Sequence, residues 1–224
     1  MFSVELVEIY GTPQVGIFIF ANDKYALVPP DIPEKLEAKV REALEVEILK
    51  VSVAGSRLIG SLACGNNSGI VLPRNVLDSE LEIIKNNLKL NVTVLEGVKE
   101  TGLGNLVLAN DNACLVSPLL PKNASKLISD TLGVECVVAD LGGSPFVGSL
   151  AVVTNRGLAL PPFVSDDELK RLEKIFKVQG GLLTINKGRM FLRSGLVANT
   201  KGALAGSETT GHELMQIQRI FSQS

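Results

Sequence analysis

The chain has 224 residues, with 22 Lys and Arg against 24 Asp and Glu for a net charge of −2, too little positive charge for a general polyanion binder. Its mean hydropathy of +0.27 is high, yet no apolar run approaches the about 18 residues that read as a membrane span, so the hydrophobicity is assigned to buried strands. Three cysteines without paired spacing, and an N-terminus with Glu5 and Glu8 but no basic segment, predict reduced thiols in a cytoplasmic protein with no secretory signal.

Residues 3–10 hold the first predicted strand, Val4 to Ile9, which has no helix of its own. Gly16 then opens a pattern that recurs at Gly60, Gly104 and Gly148, 44 residues apart each time. Phe18 and Phe20, Leu62 and Cys64, Leu106 and Leu108, and Leu150 and Val152 stand two and four residues on. That alternation predicts a strand running from each glycine. Six residues on come Asn22, Asn66, Asn110 and Thr154, in short polar segments expected to turn hairpins, where Asn tolerates positive φ. Returning strands carry Leu27 and Val28, Val71 and Leu72, Leu115 and Val116, and Ala159 and Leu160. A fifth copy, one residue late, counts from Arg193 through Val197, Asn199, Gly202 and Leu204.

A helix is predicted behind each returning strand. Asp31 with Glu34, Ser79 with Glu82, Ser165 with Glu168 and Thr210 with Glu213 read as capping boxes. Behind them the apolar spacing is helical, as in Leu36, Val40 and Leu44 or Leu214, Ile217 and Phe221, while the third helix, Asn123 to Leu132, is less regular. Further strands are expected from Val46 to Val53, Leu90 to Leu95, Val134 to Ala139 and Leu182 to Ile185. The fifth copy lacks this last strand and the N-terminal strand lacks a unit, so each is expected to complete the other. The fold class expected is α/β. One domain, residues 1–224, holds five units opening near 16, 60, 104, 148 and 193, as a ring closed by the N-terminal strand.

Candidate chemistry is sparse. His212, the only histidine, opens the last predicted helix, away from the positioned partners a general base needs. There is no Cys-x-x-Cys and no His–carboxylate cluster to ligate a metal. A GxG at Gly102 and Gly104 meets Val107 in place of a third glycine, and no Walker lysine exists. No metal, cofactor or small-molecule substrate is expected, and Cys64, Cys114 and Cys136 read as small buried hydrophobes. Between Glu173 and Glu208 no acid intervenes, while Lys174, Lys177, Lys187, Arg189, Arg193 and Lys201 do, for a local charge of +6 against −8 elsewhere. This is a solvated face or a patch that touches RNA or an acidic surface. Asn22, Asn66, Asn110 and Asn199 read chiefly as turn formers, gathered on one end of a closed ring, where binding tends to sit.

The segment AGSRLIGSLACGNNSGIVLP, Ala54 to Pro73, with GNLVLANDNACLVSP, GSLAVVTNRGLALPP and GLVANTKGALAGSETTGHELMQIQRIF, resembles the translation initiation factor 6 family in its archaeal form, over the whole chain. The resemblance implies a pentein fold, a five-bladed α/β propeller with pseudo-fivefold symmetry. It also implies a ribosome anti-association factor rather than an enzyme. Such a factor binds the intersubunit face of the large ribosomal subunit, mainly through a ribosomal protein near the sarcin-ricin loop of the rRNA, and sterically keeps the small subunit from joining. On the matching positions Gly60-Ser61 and Gly104-Asn105, Ser61 and Asn105 are expected at the binding face, although Ser61 is small where eukaryotic members carry a larger basic residue. Asn66, Asn67, Arg189 and Arg193 are further candidates, the arginines for direct RNA contact, and a monomer is expected. The alternative on the same scaffold is a guanidino-modifying enzyme with a cysteine nucleophile, which requires a cysteine, His212 and carboxylates to converge.

Overall fold

The computed structural model describes residues 2–223, so Met1 and Ser224 of the expected domain lie outside the described residues. Strand β1 (Ser3–Val7) comes first, and repeated units follow. Unit one holds α1 (Val15–Phe18), β2 (Phe20–Ala21), β3 (Tyr25–Val28), α2 (Glu34–Leu44) and β4 (Glu47–Lys50). Unit two holds α3 (Ile59–Leu62), β5 (Cys64–Gly65), β6 (Gly69–Pro73), α4 (Asp78–Asn87) and β7 (Asn91–Leu95). Unit three holds α5 (Leu103–Leu106), β8 (Val107–Ala109), β9 (Ala113–Val116), α6 (Lys122–Leu132) and β10 (Glu135–Val138). Unit four holds α7 (Val147–Leu150), β11 (Val152–Val153), β12 (Leu158–Leu160), α8 (Asp166–Phe176) and β13 (Gly180–Leu182). Unit five ends with α9 (Leu192–Gly195), β14 (Leu196–Ala198), β15 (Gly202–Gly206) and α10 (Gly211–Phe221).

Among the described residues these units build five sheets of three strands, each with the returning strand in the middle. The hairpin partner is antiparallel, Phe20 opposite Leu27, and the strand after the helix is parallel, Leu27 opposite Leu49. A parallel pair needs such a crossover. Middle strands are covered on both faces and read as continuous apolar runs, and every residue of β6, β9, β12 and β15 is buried. In the fifth sheet the parallel partner is β1, from Ser3 opposite Gly202 to Val7 opposite Gly206. The N-terminal strand fills the fifth unit's open position, as the sequence predicts.

Each apolar core is shared by two successive units. Phe20 and Leu27 pack with Ile70 and Ile84, Val71 and Leu95 with Cys114 and Ile128, Leu108 and Leu115 with Leu172 and Phe176. Val152 and Ala159 pack with Ile217 and Phe221, and Val197 and Leu204 return to Val28 and Val40 of unit one. Burial depends on the neighbouring copy, which is the physical reason to repeat the unit.

The segment opened by each glycine differs from the predicted strand. It forms one turn of helix, and the inner strands start only at Phe20, Cys64, Val107, Val152 and Leu196. Backbone crowding is the cause. A Cβ on Gly60 would lie 2.0 Å from the carbonyl oxygen of Gly16, on Gly104 2.1 Å from that of Gly60, and on Gly148 2.3 Å from that of Gly104. Glycine lets one single-turn helix pack backbone to backbone on the next.

The fifth copy's lag is also local. Bridges join Ile9 to Thr12, Val53 to Ser56 and Leu141 to Ser144, whereas the fifth joins Ile185 to Arg189, one residue longer. Of the expected capping boxes, Thr210 with Glu213 forms in both directions, and Ser165 Oγ accepts from Glu168 N at 3.3 Å. The other two are corrected. Ser79 lies inside α4, behind the N-cap Leu77, and Glu80 takes the role expected of Glu82. Helix α2 starts behind Pro33, and Asp31 instead accepts from Tyr10 Oη at 2.8 Å and pairs with Arg57. Strand β13 begins at Gly180 rather than Leu182, with Gly180 and Gly181 opposite Leu158 and Ala159. Glycine is depleted in strands, so propensity hides them; here they leave room for the Leu169 and Ile220 side chains.

Candidate functional site

The hairpin turns gather at one end of the molecule, around a shared opening lined by residues of all the units. Asn66 illustrates their chemistry. Its Oδ1 accepts from the Ser68 and Gly69 amides at 2.9 and 3.1 Å, and its Nδ2 donates to the carbonyls of Asn110 and Leu132 at 3.1 and 3.0 Å. Leu132 closes α6, so this bond also satisfies a helix-end carbonyl. Asn22, Asn110 and Asn199 donate in the same way to the carbonyls of Asn66, Thr154 and Asn22. All are buried, and none has the positive φ expected of them. The asparagines are chosen for two-sided hydrogen bonding, not for backbone strain.

The next residue in each turn adds a second tier. The Asp23 amide donates to Asn67 Oδ1, the Asn67 amide to Asp111 Oδ1, the Asp111 amide to Asn155 Oδ1, and the Thr200 amide to Asp23 Oδ1. Burial alone would raise the Asp23 pKa, but hydrogen bonds from Thr200, Asn67 and Asn155 outweigh it and hold the carboxyl below its ordinary value. The polar side chains that line this opening are spent on one another.

The single-turn helices form the opposite end. Their third residues, Ile17, Ser61, Asn105, Ser149 and Ser194, line a pocket of about 280 Å³ together with Arg193. Ser149 Oγ donates to Asn105 Oδ1 at 3.0 Å, and Ser194 Oγ to the Phe191 carbonyl at 2.7 Å. Among the described residues the Ser61 hydroxyl and Asn105 Nδ2 have no partner. Phe191 also lines the pocket, and Leu58, Phe146 and Phe191, each preceding its single-turn helix, are exposed, as is Met190. Tyr10 packs edge-on against Phe18 of α1, and its pKa is pushed up to about 12, first by burial and then by its bond to Asp31.

The six candidate residues fall into two groups. Ser61, Asn105 and Arg193 share the pocket, whereas Asn66 and Asn67 belong to the turns at the other end. Arg189 is exposed in the turn before α9, with Nη2 4.0 Å from the Glu208 carboxylate. The basic segment disperses in space: Lys174 and Lys177 lie at the end of α8, Lys201 donates to the Glu45 carbonyl, and Arg193 faces inward. A run of like charge has no fixed direction once it crosses a helix, a turn and a hairpin.

Sequence spacing gave no sign that the cysteines meet. Cys114 and Cys136 stand opposite each other across β9 and β10, and Cys64 joins the same apolar cluster. Burial pushes the Cys64 thiol up to about 12 and Cys114 well above its ordinary value, the reverse of an activated nucleophile, whereas the hydrogen bond from Cys114 lowers the pKa of half-buried Cys136. His212 is exposed at the start of α10. The convergence of cysteine and histidine that the guanidino-enzyme alternative needs is missing from these residues. Among the described residues no group of three His, Cys, Asp or Glu could hold a metal ion, and no helix is long and apolar enough to cross a membrane.

The profile of the eIF-6 family matches residues 4–220. Translation initiation factor 6 of Pyrobaculum aerophilum is 42% identical over 221 residues, covering 99% of this chain and 100% of that protein. Translation initiation factor 6 of Methanocaldococcus jannaschii is 42% identical over 214 residues, covering 93% of each.

Proposed function

The chain belongs to the eIF-6 family, and from that premise we propose that it binds the intersubunit face of the large ribosomal subunit and sterically prevents association with the small one. Its five sheets form a pentein, a five-bladed propeller in one domain, and it acts in the cytoplasm as a monomer, by occupancy and without catalysis. The main partner is a ribosomal protein, with adjacent rRNA near the sarcin-ricin loop.

The observation that carries this reading is the contrast between the two ends. The polar side chains that line the opening at the turn end are bonded to one another, whereas the single-turn helix end keeps the Ser61 hydroxyl and Asn105 Nδ2 without a partner among the described residues, and Leu58, Phe146 and Phe191 stand exposed before its helices. Aromatic residues and free hydrogen-bonding groups around a rigid opening suit docking onto another macromolecule. We assign the face to that end, with Ser61 and Asn105 within it and Arg189 at its edge, while Asn66 and Asn67 act as fastenings. Inhibition then follows affinity and residence time.

The test is sedimentation with purified large and small subunits, followed by a subunit-joining assay. Selective co-sedimentation with the large subunit and loss of joining are expected. Equal binding to both subunits, or to neither, sinks the proposal.

A further inference from the structure

Arg193 stands where the other units have glycine. Gly16, Gly60, Gly104 and Gly148 are the second residues of α1, α3, α5 and α7, and Arg193 is the second residue of α9. Its Nε donates to the Gly60 carbonyl at 3.2 Å. Gly60 belongs to unit two, whereas the neighbours of unit five are units four and one. The side chain therefore reaches across the space that the units share. It borders both the narrow interior, about 50 Å³, and the wider pocket at the helix end.

The guanidinium there is half-buried and has no ion-pair partner. Among the described residues no carboxylate forms an ion pair with it, and its Nη atoms have no acceptor. Burial lowers its pKa, but arginine does not give up its proton in a protein. The Cys64 thiol, which also lines the interior, is kept neutral by burial and offers no counter-charge. A guanidinium held partly out of water with no counter-charge keeps its remaining donors available to an acceptor. Those donors are met either by solvent or by a bound anion.

The pocket is equipped for the second outcome. Beside the free Nη donors lie the unpartnered Ser61 hydroxyl and Asn105 Nδ2, and no acidic residue lines the pocket. We propose that this pocket binds a single tetrahedral oxyanion of the phosphate class, held by the Arg193 fork and completed by Ser61 and Asn105. The planar fork matches two oxygens of such an anion. The outer pocket, at about 280 Å³, is wide enough for it. The site shares Ser61 and Asn105 with the docking face but is tested without ribosomes, so its failure leaves that proposal standing.

Inorganic phosphate is titrated calorimetrically into the full chain at constant ionic strength. Saturable binding is expected, at least about tenfold weaker in Arg193→Met, which loses two charge-assisted hydrogen bonds, and several-fold weaker in Asn105→Ala. Arg193→Gly, which restores the residue of the other units, is the second variant should Arg193→Met fail to fold. No saturable heat in the parent chain, or unchanged affinity in a folded Arg193 variant, overturns the site. Competition with a short single-stranded RNA separates the sources of phosphate: displacement assigns the pocket to a backbone phosphodiester, and its absence to the free anion.

Discussion

Asn22 Nδ2 donates to the carbonyl of Asn66 at 3.0 Å, across exactly one repeat of 44 residues. The same bond recurs from Asn66 to Asn110, from Asn110 to Thr154 and from Asn199 to Asn22. One side chain both shapes its own turn and fastens it to the next unit, so its loss is felt twice.

Asn66→Ala leaves the Ser68 and Gly69 amides and the carbonyls of Asn110 and Leu132 without this partner. At about 1–3 kcal/mol for a buried group left unsatisfied, urea denaturation should show a loss of at least about 2 kcal/mol. Asn66→Thr should recover part of it, because Thr154 already serves its turn through a hydroxyl that accepts from Arg156 and Gly157 amides. Equal loss in both variants would refute the two-sided account.

Gly60→Ala puts a methyl group 2.0 Å from the Gly16 carbonyl oxygen and 2.6 Å from that of Ile19, both backbone atoms. Overpacking of this kind costs about 1–3 kcal/mol or more. Gly11→Ala meets no atom within 4 Å but sits at φ +73, so only the conformational cost of about 1 kcal/mol applies. Thermal unfolding should therefore rank Gly60→Ala well below Gly11→Ala.

Glu80 and Glu213 tie helix starts to the turns before the single-turn helices. Glu80 accepts from the Ala54, Gly55 and Leu77 amides and Ser52 Oγ, and Glu213 from the Gly188, Lys187 and Thr210 amides and Thr184 Oγ1. Burial would raise both pKa values, but these bonds outweigh it and depress them. A depressed folded pKa means stability that is present above the unfolded value near 4.5 and lost as pH falls through the folded value. Unfolding followed against pH should show this acid-side loss, and Glu213→Gln should flatten it while lowering stability at neutral pH.

Thiol accessibility gives an independent reading. Cys64 and Cys114 are buried and Cys136 is half-buried. A disulfide-exchange reagent at neutral pH should modify Cys136 first and the other two only on unfolding. Rapid labelling of Cys64 in the native protein would contradict the closed interior.

Arg189→Glu probes the docking face. The exposed pair with Glu208 contributes little to stability, about 0–1 kcal/mol, so the variant should fold normally. Its affinity for the large subunit should fall, and the salt dependence of binding should flatten. Unchanged binding across a salt series would remove Arg189 from the face.

Much of the architecture was legible in the chain. The recurrence of Gly16 at Gly60, Gly104 and Gly148, the five helices and the orphan strand at Val4 all follow from spacing, because spacing is what repeated packing constrains. The single-turn helices escaped it: Phe18 and Phe20 alternate like a strand, and only backbone contact between copies forces the helical turn. Arg193 escaped for a related reason. Its neighbours in sequence are basic, but its direction is set by Gly60, 133 residues away. The split between Ser61 with Asn105 and Asn66 with Asn67 is likewise invisible in one dimension, since only the short inner strand, two residues in β5, lies between Ser61 and Asn66.

The pairing of Ser3 with Gly202 sets a timetable for biosynthesis. Strand β1 waits for a partner made long after it, so unit five stays unfinished until residue 206 has been polymerised. Nascent chains arrested before that point should hold assembled middle units and a dangling leader. Strand β1 and unit five are thus completed by one event, the meeting of residues 3–7 with residues 202–206.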